Sequence, residues 1–131
     1  MPHALQSVLD DLAFFPDRQE RIETLIAYSD EYKHPSHEEF PRLENQKVPG
    51  CESEVYVRKH NGELQFAVDN PQGISAMALA AILSSSLKGA SPEEIEAIPE
   101  EAVLTIFGNE LSMGKNLGLT NMVRICKFLA K

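Results

Sequence analysis

The stretch Val48-Pro49-Gly50-Cys51 puts a nucleophile where the chain is built to present it. Proline stiffens the approach and glycine permits a sharp turn, so the thiol is offered at a loop tip just before an extended segment. A thiolate in that position can attack a sulfur electrophile by exchange. Strand parity adds a second feature. Counting back from Val57, residues Val55, Ser53 and Cys51 all fall on the core-facing side. The thiol can therefore stand free with the loop out or rest against apolar side chains with the loop in. That suits a reactive sulfur species which must be shielded between transfers. Taken alone, a lone cysteine reads at least as readily as a small buried hydrophobe.

The other chemically capable residues are less promising. Cys126 lies on an apolar helical stripe with Met122 and Leu129, where packing is the better reading because apolar burial raises a thiol's pKa and silences it. His34 and His37 are of metal-ligating type, but they stand in a loop. The two cysteines are neither paired nor close in sequence, so surface histidines are expected and no metal site is assigned. Lys47 is near enough to favour a Cys51 anion, though a loop lysine more often is simply solvated. Glu38-Glu39 and Glu100-Glu101 read as solvated charge. The sequence contains no Gly-rich phosphate loop, no GxSxG and no HExxH.

Composition narrows the classes further. At 131 residues and 43% hydrophobic, the chain has material for one core, and a single domain over 1–131 is expected without disulfides or a structural metal. Two cysteines exclude a disulfide-rich scaffold. The net charge of −8 argues against a sequence-independent nucleic-acid binder. No apolar run approaches a membrane span, and the first residues lack the build of a secretory or transit segment, so a cytoplasmic setting is expected. The acidity is uneven. Residues 1–101 hold 19 acids and 8 bases, whereas 102–131 hold Glu110 against Lys115, Arg124, Lys127 and Lys131. Either solvated helix faces or a polarised partner surface accounts for that.

The elements that must position Cys51 are legible in outline. Leu5, Val8, Leu9, Leu12 and Phe15 repeat at helical spacing, and Pro16 ends the run. Asp17 with Glu20 predicts a capping box opening a second helix, with Ile22, Leu25, Ile26 and Tyr28 or Tyr32 facing inward. Residues 34–49 form a long surface connection. Asn61-Gly62 between alternating runs predicts a hairpin in which Val57 faces Phe66 and Val55 faces Val68. Asn70 can cap a helix starting at Pro71 that is apolar almost all round from Ile74 to Leu87 and ends at Gly89. Ser91-Pro92-Glu93-Glu94 starts another, which stops by Pro99, while 100–108 is open between helix and strand. A last helix shows Leu119, Met122, Val123, Cys126 and Leu129 on one face. Helices around a small antiparallel sheet make an α+β domain.

Against this background, Val48-Pro49-Gly50-Cys51-Glu52-Ser53-Glu54-Val55-Tyr56 resembles the V-x-G-C-x-S-x-V-W signature of the SufE/CsdE family of sulfur acceptors. Gly118-Leu119-x-x-Met122-x-Arg124 is similar to the family's last helix. The likeness runs from about Leu5 to Ala130. It implies an α+β fold shared with IscU-type scaffolds, and Cys51 as acceptor of a persulfide sulfur from a PLP-dependent cysteine desulfurase of the SufS/CsdA kind. It further implies stimulation of that enzyme and delivery to an Fe–S scaffold such as a SufB-containing complex. The chain would need no cofactor of its own and would be a covalent carrier and activator more than an independent enzyme, as a monomer or homodimer. Three positions depart from the pattern. Tyr56 stands where the family usually has Trp, and is expected to keep an aromatic wall by the hairpin. Asn45 lies one residue further upstream, and Lys115 falls where Arg is common, although Lys cannot reproduce a bidentate contact. The alternatives are an IscU-like metal or cluster scaffold, which needs about three cysteines or equivalent ligands, and a non-catalytic adaptor.

Overall fold

In a computed structural model describing residues 1–14, 17–51, 54–69, 73–108 and 113–131 (the side chains of 113–115 excepted), the chain runs through six α-helices and one hairpin. These are α1 (His3–Ala13), α2 (Arg18–Glu31), β1 (Val55–His60), β2 (Glu63–Val68), α3 (Ile74–Ser86), α4 (Pro92–Glu96), α5 (Ala102–Phe107) and α6 (Met113–Ala130), with a 3₁₀ turn at Glu44–Gln46. The expected α+β class is the one observed.

The apolar composition of α3 makes it the hub. Ala76, Ala78, Leu79, Ala80, Ile82 and Leu83 are all buried, because α2, α1, β2 and α6 pack around it. On α1, Leu5, Leu9 and Leu12 are buried and Val8 packs against them, as the spacing predicts; Phe15 and Pro16 lie outside the described residues. Asp17 caps α2 by accepting from the Gln19 N–H, without the reciprocal Glu20 bond that a full capping box needs.

The inward face of α2 differs from expectation. Ile22 and Ile26 are exposed, and the inward side carries Leu25, Tyr28, Ser29 and Tyr32. The cause is polar. Arg21 donates from one guanidinium nitrogen to the carbonyls of Thr105 and Ile106 at 2.6 and 3.1 Å, satisfying the end of α5. Tyr32 Oη accepts from the Val68 N–H at 2.7 Å. These three bonds tie that side of the helix and its C-cap to α5 and β2.

The hairpin has the predicted register, with Val55 opposite Val68 and Val57 opposite Phe66. Asn61 and Gly62 both take positive φ, +52° and +80°, which the two-residue turn requires. Its four inner residues join the main core. The outer face is covered too, at the end nearest the Cys51 loop, where Phe40 forms a small second core with Tyr56 and Ala67. Arg42 holds the covering loop in place. Its guanidinium donates to both carboxylate oxygens of Asp69 and to the carbonyls of Pro35, Ser36 and Phe40. These bonds to Arg42, with His34 beside it, hold the Asp69 carboxyl down at about 2.

At the other end of α3, Gly89 takes the left-handed conformation. Ser91 and Glu94 close a reciprocal capping box on α4, as predicted. The ambiguous segment 100–108 resolves as helix, with Val103, Ile106 and Phe107 in the core. Helix α3 starts at Ile74 behind a non-helical Gly73, three residues later than the expected Pro71 start, while Asn70 and Pro71 themselves lie outside the described residues.

Candidate functional site

Two anchors define the segment that carries Cys51. Upstream, the Val48 N–H donates to the Val55 carbonyl at 2.7 Å, and Lys47 bridges to Tyr56, so the incoming chain pairs with β1. Downstream, the Glu54 carbonyl accepts from the Asp69 N–H at 2.9 Å, beyond the end of β2. Cys51 lies midway between Val48 and Glu54. Ser53, whose parity predicted an inward side chain, and Glu52 lie outside the described residues.

The tip of this loop lies on the first half of α6. Gly118 makes that approach possible. A methyl group there would sit 2.7 Å from Cys51 Sγ, 2.8 Å from Cys51 Cα and 2.9 Å from the Gly50 carbonyl oxygen, all far inside contact distance. Gly50 adopts φ +82°, and a side chain on it would be strained and would crowd Leu117 and Asn121. Asn121 completes the contact by donating from Nδ2 to the Pro49 carbonyl at 2.9 Å. Leu117, Gly118 and Asn121 thus form a strip on α6 beside the one formed by Leu119, Met122, Val123 and Cys126, which faces the core.

Cys51 is consequently half-buried and packed against the main core, and burial alone pushes its thiol up to about 11. At neutral pH the docked thiol is protonated and a weak nucleophile. Lys47 is exposed and contributes no resolved pull on it. Cys126 is fully buried and raised to about 12 by the same cause, as its position on the stripe predicts. Gly118, which Cys51 covers, and Cys126 are eight positions apart on one helix, or about 12 Å along its axis.

The remaining sequence candidates fall elsewhere. His34 Nε2 lies 2.8 Å from Asp69 Oδ1 in the Arg42 cluster, whose Asp69 meets the Cys51 loop only through its backbone N–H at the Glu54 anchor. Among the described residues, no group of three or more His, Cys, Asp or Glu side chains is placed to hold a metal ion. Nor is any described helix long and apolar enough to cross a membrane. Tyr56 does stand with an aromatic partner against the hairpin, but on the outer face with Phe40, whereas Cys51 packs with the inner core. The basic C-terminal segment is partly spent internally. Arg124 makes a bidentate pair with Glu100 at 2.8 and 3.0 Å, and Lys127 donates to the Ile98 carbonyl at 2.7 Å. The side chain of Lys115 lies outside the described ones.

Sequence reasoning found Cys51 and the helix that meets it, but not the roles of Gly118 and Asn121. A glycine in the interior of an otherwise good helix was the available signal, since such a residue weakens the helix unless something packs closely on it.

Comparison with known proteins agrees with this arrangement. The solution structure of a hypothetical protein from Thermus thermophilus has the same fold, with a TM-score of 0.73 at 20% identity over 99% of this chain and 95% of that one. SufE-like protein 1, chloroplastic/mitochondrial, of Arabidopsis thaliana is 31% identical over 128 residues. That match takes in 95% of this chain and 34% of the relative, so the chain spans about a third of the relative's length. The model of the SufE family, an Fe-S metabolism associated domain, matches residues 6–130. With the cysteine loop, the hairpin behind it and the glycine-bearing helix beneath it all present, the chain belongs to the SufE family.

Proposed function

We propose that this chain is a sulfur acceptor that takes a sulfane sulfur from the persulfide of a PLP-dependent cysteine desulfurase onto Cys51, stimulates that enzyme, and passes the sulfur to an Fe–S cluster scaffold. Membership of the SufE family supports a role in Fe–S metabolism. The observation that carries the finer reading is the seating of Cys51 at the apex of a short loop, half-buried over Gly118. A docked thiol held as the neutral acid reacts only slowly with stray electrophiles. Raised off the helix into a polar setting, it regains an ordinary thiol pKa and becomes competent for exchange.

The step itself balances without an oxidant. The Cys51 thiolate attacks the outer sulfur of the donor's persulfide, a new S–S bond forms on Cys51, the donor's S–S bond breaks, and the donor cysteine leaves as its thiolate. Carbon–sulfur cleavage and its cofactor belong to the donor enzyme. Both cysteines are free, which fits a reducing, cytoplasmic setting. Delivery would be to a scaffold of the SufB-containing kind by the reverse exchange.

Incubation with a cysteine desulfurase and cysteine should add one sulfur to Cys51, read by peptide mass, and raise desulfurase turnover. A Cys51→Ser chain that stimulated the enzyme as well as the wild type would overturn the reading in favour of an adaptor. The IscU-like scaffold is disfavoured because, among the described residues, no three His, Cys, Asp or Glu side chains come together to ligate one centre.

A further inference from the structure

We propose that Asn121 is a positioning residue for Cys51, and that Arg124 and Glu100 act through it. A continuous chain of hydrogen bonds runs from Glu100 to the Cys51 loop. Glu100 accepts two bonds from the Arg124 guanidinium, at Nε and Nη2, 2.8 and 3.0 Å long. The third nitrogen of the same guanidinium, Nη1, donates to Asn121 Oδ1 at 3.4 Å. With Oδ1 engaged there, the carboxamide is oriented so that Nδ2 points at the loop, where it donates to the Pro49 carbonyl at 2.9 Å.

The position of that bond gives it its leverage. Pro49 is the first residue past the Val48 anchor, and the described loop from Pro49 to Cys51 otherwise rests on α6 through the Gly118 gap and the side of Leu117. Leu117 is 52% exposed and forms only a low wall. The Asn121 bond is the directional contact that holds the loop down, and a planar guanidinium fixed at both ends sets its direction. The device deepens the sulfur-acceptor reading and rests on it for its purpose, since it sets how often Cys51 is offered to a donor.

Its existence is testable without any donor. Cys51 alkylation by iodoacetamide is followed on the isolated chain by peptide mass, across pH, together with the urea unfolding midpoint. Asn121→Ala and Asn121→Leu both delete the donor while favouring helix. Each should label about three- to tenfold faster than wild type, with the pH midpoint displaced downward from about 11 and little change in unfolding. Glu100→Gln should give a smaller acceleration, and none at all in the Asn121→Ala background. Unchanged labelling in both Asn121 variants would overturn the proposal. So would an equal effect of Glu100→Gln with and without the carboxamide, because the pair would then act through helix packing. Loss of sulfur transfer as a function leaves this readout intact, and unchanged labelling leaves sulfur transfer intact.

Discussion

Cys51 and Cys126 lean on the same helix about two turns apart, one over the gap at Gly118 and the other inside the core stripe. Both thiols are raised well above the ordinary 9, to about 11 and about 12, and burial is the leading cause in each. Resting acidity therefore hardly separates them. What separates them is the structure that must move before either can ionise. For Cys51 it is one short loop, held on α6 among the described residues by the Asn121 hydrogen bond and the close contact at Gly118. For Cys126 it is the packing of α6 against the rest of the core. The comparison teaches that two thiols with similarly raised pKa values can still differ in the cost of exposing them, and that the thiol on a loop is the cheaper to expose.

The largest expected difference is in labelling of the native protein at neutral pH. Cys126 should react with iodoacetamide roughly a thousandfold or more slowly than Cys51, because its exposure requires global unfolding; comparable rates by peptide mass would break the comparison. Next comes stability. Cys126→Ser buries an unpartnered hydroxyl in the core and should cost about 1–3 kcal/mol in urea unfolding, whereas Cys51→Ser should stay within about 0.5 kcal/mol.

The same contrast has a pH signature. A thiol whose folded pKa is raised contributes stability below its unfolded pKa, and that contribution is lost as pH rises through the folded value. Stability should accordingly fall between about pH 9 and 12. Cys126→Val should remove its share of that loss, measured as the alkaline slope of the unfolding midpoint. Gly118→Ala comes next. Its new methyl displaces the loop and should speed Cys51 labelling about tenfold, moving the pH midpoint from about 11 toward 9 while Cys126 stays protected. The smallest effect belongs to Lys47→Gln, which should shift that midpoint by less than about 0.3 unit, since an exposed lysine is screened. A larger shift would restore an electrostatic role that the geometry does not support.

Much of the frame was legible because local chemistry decided it. Asn61-Gly62 determined the turn and with it the register of four core residues, and Ser91 with Glu94 closed the predicted box. The stripe through Leu119, Met122, Val123 and Cys126 needed only helical spacing. What escaped depended on contacts distant in sequence. The inward face of α2 follows from Arg21 meeting carbonyls at Thr105 and Ile106, and no periodicity within residues 18–31 encodes that. Phe40 becomes a core residue because Arg42 reaches Asp69 across 27 positions. At the site, the sequence singled out Cys51, but the glycine and carboxamide that receive its loop come from a helix some 70 residues away.

The two backbone anchors at Val48 and Glu54 also determine how far the thiol can travel. Cys51 is three residues from each, and three extended residues span about 10 Å. Its sulfur therefore sweeps a small dome above the base of the hairpin unless the sheet itself comes apart. A donor whose persulfide lies deeper than that within its own body cannot be reached by a swinging loop alone. Either the donor's sulfur must come to its mouth, or its mouth must be wide enough to take in the end of the hairpin and the neighbouring turns of α6. On the proposed function, so short a tether would select partners by the depth of their openings.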